Sequence, residues 1–105
     1  MIAIVRTAAA KRDLLDKWET IALDSPMAAD NVLRKLGERI EQLATQPRLG
    51  PRRSDIRAAL RMLVQWPHLI LYETKPDSDE AQIKQVEIVR IVDGRRDLTS
   101  LLGEN

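Results

Sequence analysis

A single change of period divides this chain. From Ala8 to about Thr45 apolar residues recur at steps of three and four; from Ala58 to Val92 they tend to alternate. The first spacing lays a stripe along an α-helix, and the second puts side chains on one face of a β-strand. Leu14, Leu15, Trp18, Ile21 and Ala22 line one face, and Lys11, Asp13, Asp16, Lys17 and Glu19 fill the other, which predicts an amphipathic helix to about Leu23. Asp24-Ser25-Pro26 then breaks the chain and restarts it. Ser25 can accept a free N–H of the next helix, and Pro26 suits the first helical position, where no N–H is needed. Ala29, Val32, Leu33, Leu36, Ile40 and Leu43 form the second stripe, ending near Thr45. Gly37 inside it costs about 1 kcal/mol relative to Ala, and a close approach to the first helix is expected to offset that. Two such helices on so short a link predict an antiparallel hairpin.

Ile2 to Val5 is a β-branched run and predicts an opening strand. Gln46 to Arg53 is a loop by its Pro and Gly content. Three strands are expected after it: Ala58 to Val64, Leu69 to Thr74, and Ile83 to Val92. A turn containing Pro67 and the acidic turn Lys75 to Glu80 separate them, and a short helical turn follows at 97–102. Consecutive strands on short links pair as an antiparallel meander. The expected architecture is α+β, ordered β-α-α-β-β-β, with a helical hairpin (about 8–45) packed on a small, mainly antiparallel sheet (meander about 58–92). The chain of 105 residues (1–105) reads as one domain. Where the first strand inserts is left open.

Composition removes whole classes of chemistry. With no cysteine there is no disulfide scaffold, thiolate metal site or Cys nucleophile, and with one histidine, His68, there is no His cluster. No metal and no cofactor are expected. None of Ser25, Ser54, Ser78 and Ser100 lies in a G-x-S-x-G context, and no phosphate-binding glycine loop occurs. The acids read as solvated helix faces and turns. No apolar run approaches the roughly 18–20 residues of a membrane span, and Met1 to Arg6 is too soon charged for a signal peptide. No membrane association and a cytoplasmic location are expected.

Net charge is only +1, but its distribution is uneven. Between Thr45 and Trp66, Arg48, Arg52, Arg53, Arg57 and Arg61 stand against one acid, Asp55, a local +4. Between Glu73 and Glu87, five acids stand against Lys75 and Lys84, a local −3. Twelve of seventeen basic residues are arginine, a bias that suits forked recognition of carboxylate or phosphate. On the last strand, counting by twos places Arg90 with Val86, Ile88 and Val92. A charge on so apolar a face needs a partner. Either an internal acid such as Asp55 or Asp97 supplies it, or the side chain snorkels at a sheet edge, or Arg90 lines a cationic site with Arg95, Arg96 and Arg61. Aromatics are few (Trp18, Trp66, Tyr72), which argues against a base-stacking platform. Trp18 suits core or partner contact, and Tyr72 suits a core position with a satisfied hydroxyl.

Six segments, in order, carry a resemblance across about Ile2 to Leu102. They are Arg12-Asp13-Leu14-Leu15, Ser25-Pro26-Met27-Ala28-Ala29, Leu43-Ala44-Thr45-Gln46-Pro47-Arg48-Leu49-Gly50, Ile56-Arg57-Ala58-Ala59-Leu60-Arg61, Leu69-Ile70-Leu71-Tyr72 and Val89 to Leu98. Together the sequence resembles the RelE/ParE superfamily of type II toxins, and its ParE branch in particular. That resemblance implies a toxin that poisons DNA gyrase, is not itself an enzyme, and is neutralised by a ParD-like antitoxin in a heterotetramer or larger assembly. The antitoxin, not this chain, would hold the operator. In the RelE branch, ribosome-dependent mRNA endonucleases supply a Tyr or His near the C-terminus; here that position falls at about Leu102. Many relatives carry His where this chain has Asp93, so no role of that His transfers. A ribonuclease with an atypical site, and a non-toxic relative that only binds antitoxin, stay as alternatives.

The antitoxin is expected to lay an amphipathic helix on the hairpin, contacting Leu14, Trp18, Leu36 and Ile40, and to add backbone pairing at a sheet edge. Arg57, Arg61, Arg90, Arg95 and Arg96 are the expected target-facing residues.

Overall fold

The structure is a computed structural model and describes residues 2–95. Its elements are β1 (Ala3–Arg6), α1 (Ala8–Ala22), α2 (Pro26–Glu41) with a 3₁₀ turn at Gln42–Ala44, β2 (Arg61–Gln65), β3 (His68–Lys75) and β4 (Gln85–Asp93). This is the expected α+β order. The hairpin starts where side chains satisfy free amides. Thr7 Oγ1 accepts from the Ala10 N–H at 3.0 Å, and Ser25 Oγ accepts from the Ala28 N–H at 3.1 Å with Pro26 following. The expected turn at 97–102 and Arg96 lie outside the described residues.

The sheet order is β1-β4-β3-β2, with β1 parallel to β4 and the other pairs antiparallel. The helices cover one face. Leu36, Ile40 and Leu43 meet Leu63, Ile70, Tyr72, Val86, Ile88 and Ile91 there, forming the main core. On the opposite face a smaller cluster of Leu60, Leu69, Leu71 and Val92 is covered by Ile56, Met62 and Val89.

Three expectations need correction. β2 begins at Arg61 instead of Ala58, because 53–60 turns on itself: the Ile56 and Leu60 amides donate to the Arg53 and Arg57 carbonyls. Gly37 is not at a close helix crossing, since a Cβ there would meet nothing within 4 Å. Arg90 does not share a face with Val86 and Ile88. The β3–β4 register slips between Leu71 and Tyr72, so Leu71 faces Arg90 and Tyr72 faces Ile88. Val89 is the extra residue of a bulge, and a bulge reverses which face later residues take.

Gly50 is where the backbone comes closest. A Cβ there would lie 2.6 Å from the Met62 carbonyl oxygen and 2.9 Å from the Tyr72 ring. Only glycine lets the loop after α2 lie flat on β2. Tyr72, fully buried, meets the expectation of a satisfied hydroxyl: it donates to the Pro47 carbonyl and accepts from the Gly50 N–H, both at 2.9 Å.

Candidate functional site

The basic run 48–61 and the acidic turn after β3 meet in space. The β2–β3 hairpin folds the turn back over the loop that leads into β2. Arg52 Nη1 lies 2.8 Å from Asp77, and Arg52 Nε 3.1 Å from Asp79. Arg61 Nη2 lies 2.9 Å from the same Asp79 oxygen, while its Nη1 donates to the Gly50 carbonyl at 2.9 Å. Arg57 pairs with Glu73 at 2.8 Å, Arg53 with Asp55 at 2.7 Å. Arg48 donates to the Ser78 and Ala81 carbonyls, tying down the acidic turn. Three of the four surplus charges are therefore offset by acids far along the chain, Glu73, Asp77 and Asp79. These pairs raise the guanidinium pKa of Arg52 and Arg53, first through hydrogen bonds to Asp77 and Asp55 respectively, and hold Asp79 below the usual carboxylate range, first through Arg52.

Arg90 and Arg95 lie apart from Arg61. β1 stops opposite Ile88, so the rest of β4 has an edge with no strand on it. The start of α1 completes that edge: Thr7 Oγ1 donates to the Val89 carbonyl at 2.7 Å, and Asp13 accepts the Ile91 N–H at 2.8 Å. The same carboxylate takes the Arg90 guanidinium in a fork, at 2.7 and 2.9 Å. The partner of Arg90 is thus Asp13; Asp55 pairs with Arg53 instead, and Asp97 lies outside the described residues. The Asp13 hydrogen bonds raise the Arg90 pKa. Arg95 makes its own fork with Asp93, at 2.9 and 2.6 Å, which holds Asp93 well below the carboxylate range. A cleft of about 300 Å³ opens between α1 and the end of β4, lined by Asp13, Asp16, Lys17, His68 and Asp93 among others. Burial, and then Lys17, push the His68 pKa down, so the imidazole is neutral at pH 7. Among the described residues no group of His, Asp and Glu could hold a metal ion, and no helix is long and apolar enough to cross a membrane.

Of the four expected antitoxin contacts, two are corrected. Leu36 and Ile40 have no exposed surface, because the stripe of α2 faces this chain's own sheet. Leu14 is half-buried against the same core, and Trp18 donates from Nε1 to Asp30 at 2.8 Å, locking α1 to α2. The apolar surface that the hairpin does present is Leu15, Leu23 and Met27, which are 53%, 87% and 81% exposed. Leu15 is visible in the sequence as part of the first stripe; Leu23, in the link, and Met27, in the first turn of α2, fall where periodicity no longer discriminates. The Ala3 amide donates to the Lys84 carbonyl just before β4 and the Thr7 amide to the Ile88 carbonyl within it, so alternation turns the Ile4 and Arg6 backbone groups outward on an open strand edge.

A family model described as the ParE toxin of the type II toxin–antitoxin system parDE matches residues 4–98. The curated "Toxin ParE3" of Caulobacter vibrioides is 29% identical over 102 residues, covering 96% of this chain and 95% of that protein. A solved structure, "Chromosomal ParDE TA system from P. aeruginosa", superposes with a TM-score of 0.68 at 21% identity, covering 89% of this chain and 96% of that one. That likeness extends the shared fold to a distant sequence.

Proposed function

This chain belongs to the ParE toxins of type II toxin–antitoxin systems, and from that premise we propose that it poisons DNA gyrase by binding, without catalysing a reaction of its own. The observation that carries this reading is the family match over nearly the whole chain, residues 4–98. The state of the arginines supports it. Arg61 is clamped between a carbonyl and a carboxylate, Arg57, Arg90 and Arg95 are paired with carboxylates, and the Tyr72 hydroxyl is bonded inside the core. Guanidiniums already committed to carboxylates and a carbonyl have little charge left to stabilise a cleaved phosphodiester. Of the target-facing candidates among the described residues, Arg57 and Arg95 expose half or more of their side chains and are the accessible ones.

A ParD-like antitoxin would cover Leu15, Leu23 and Met27 with an amphipathic helix and pair an extended segment along β1, in a heterotetramer or larger assembly in the cytoplasm. Ordering such a tail costs a few kcal/mol, offset by the apolar area it buries. The decisive assay is supercoiling of relaxed plasmid by purified gyrase and ATP with the toxin added. Loss of supercoiling with protein-linked linear DNA is expected. Unchanged supercoiling by folded toxin refutes the gyrase reading.

A further inference from the structure

We propose that Arg52 and Arg61 form a binding site for a phosphate group, which the carboxylate of Asp79 occupies and keeps closed. The proposal stands apart from the gyrase reading, and its test uses this chain alone.

Two arginines are forced together here by the backbone. Arg52 and Arg61 are partners in an isolated antiparallel bridge, so their side chains leave the sheet side by side. Like charges directly opposite repel, and an anion between them removes the repulsion. In this structure one oxygen does so: Asp79 Oδ1 lies 3.1 Å from Arg52 Nε and 2.9 Å from Arg61 Nη2.

The fit of that oxygen is incomplete. Arg61 is 5% exposed, and its Nε is buried with no hydrogen-bond partner. Nε–H and one Nη2–H of a guanidinium point the same way, as a fork made for two oxygens of one oxyanion. Asp79 fills one tine. Its side chain is 68% exposed on a surface turn, whereas the Arg61 side chain is 6% exposed. The cation is buried and its counter-charge lies at the surface. Arg61 is held by the Gly50 carbonyl, itself fixed through the Tyr72 hydroxyl and by the tight approach of Gly50 to Met62. The Asp79 turn, by contrast, is tied by Arg48 to two of its carbonyls and by ion pairs to Arg52 and Arg61. A tetrahedral phosphate has oxygens enough to take both tines of Arg61 and reach Arg52 at once. A planar carboxylate whose one oxygen bridges the two arginines leaves Nε without an acceptor. Phosphate of this kind is carried by free phosphate species and by the DNA backbone alike.

The test compares the wild-type chain with Asp79→Asn, which keeps the size of the side chain and removes its charge from an exposed position. Inorganic phosphate is titrated while the ¹H–¹⁵N signal of Arg61 Nε is followed by NMR, against chloride at matched ionic strength. Asp79→Asn is expected to show a saturable shift of that signal with an affinity about tenfold or more above wild type, and Arg52→Gln in the Asp79→Asn background is expected to weaken it. A natively dispersed Asp79→Asn spectrum with no saturable shift overturns the proposal, as does equal affinity in the two proteins. A second arm adds a short DNA duplex to Asp79→Asn. Binding that phosphate competes away identifies the phosphodiester backbone as a ligand; phosphate binding without DNA binding identifies free phosphate species.

Discussion

Removing the carboxylate of Asp13 should unfasten the end of β4, and the structure allows the loss to be divided in two. Asp13 has a side chain only 12% exposed and accepts three hydrogen bonds: two from Arg90, whose side chain is 29% exposed, and one from the Ile91 N–H. Breaking a buried ion pair by deleting one partner costs about 3–5 kcal/mol. The partial exposure of Arg90 lets water take up some of its charge, so about 2–3 kcal/mol is the better figure for Asp13→Ala. Asp13→Asn removes the charge but keeps an oxygen that can still accept the Ile91 amide. It should cost about 1 kcal/mol less than Asp13→Ala, the worth of one backbone hydrogen bond. Urea unfolding measures both, with the slope m expected to stay constant. A double-mutant cycle with Arg90→Met isolates the ion pair. If Asp13→Ala and Asp13→Asn both lie within about 0.5 kcal/mol of wild type, the size of an ordinary surface substitution, the carboxylate does not hold this edge and the account of Asp13 as its closure fails.

Gly37→Ala should stabilise the chain by about 0.5–1 kcal/mol, because a Cβ at this helical position meets nothing within 4 Å; a destabilised variant in thermal unfolding contradicts that. Gly50→Ala should do the reverse, by about 1–3 kcal/mol, since its Cβ would lie 2.6 Å from the Met62 carbonyl oxygen; a neutral result in the same assay would show that the loop can lift off β2. His68 should make the chain sensitive to acid. Its pKa in the fold lies below the ordinary 6.5, so in the window below 6.5 the unfolded chain binds more protons and stability falls as pH falls. Above 6.5 the contribution is complete. Urea midpoints from neutral pH down to about pH 5, the usual histidine range, should decline for wild type more steeply than for His68→Gln, and parallel slopes would exclude His68 as the cause.

The helical hairpin was legible before any coordinates, down to the residue that starts its second helix. Ser25-Pro26 acts through neighbours in the chain, and so do the stripes of α1 and α2, whose period comes from the helix itself. The orientation of those stripes was not legible: Leu36 and Ile40 read equally well as partner surface or as core until the sheet was in place beneath them. The strands from 58 to 92 were visible as alternation, but counting by twos assumes an unbroken pleat. The extra residue Val89 makes no local mark in the sequence, and it moved Arg90 off the face it was assigned to.

The charge pattern shows the same division at longer range. Both runs, basic at 48–61 and acidic at 73–80, can be counted from the sequence, and so can the chain's potential to neutralise itself. Which carboxylate meets which guanidinium depends on the β2–β3 hairpin folding the acidic turn over the loop that holds Arg52, and on Gly50 letting that loop lie flat. The parallel seat of β1 beside β4, and the strandless edge that Asp13 closes, likewise follow from how far each strand runs once packed. Periodicity and capping act over one or two turns of chain, so residue order settles them; ion pairs, bulges and open edges join residues tens of positions apart, and only packing brings those together.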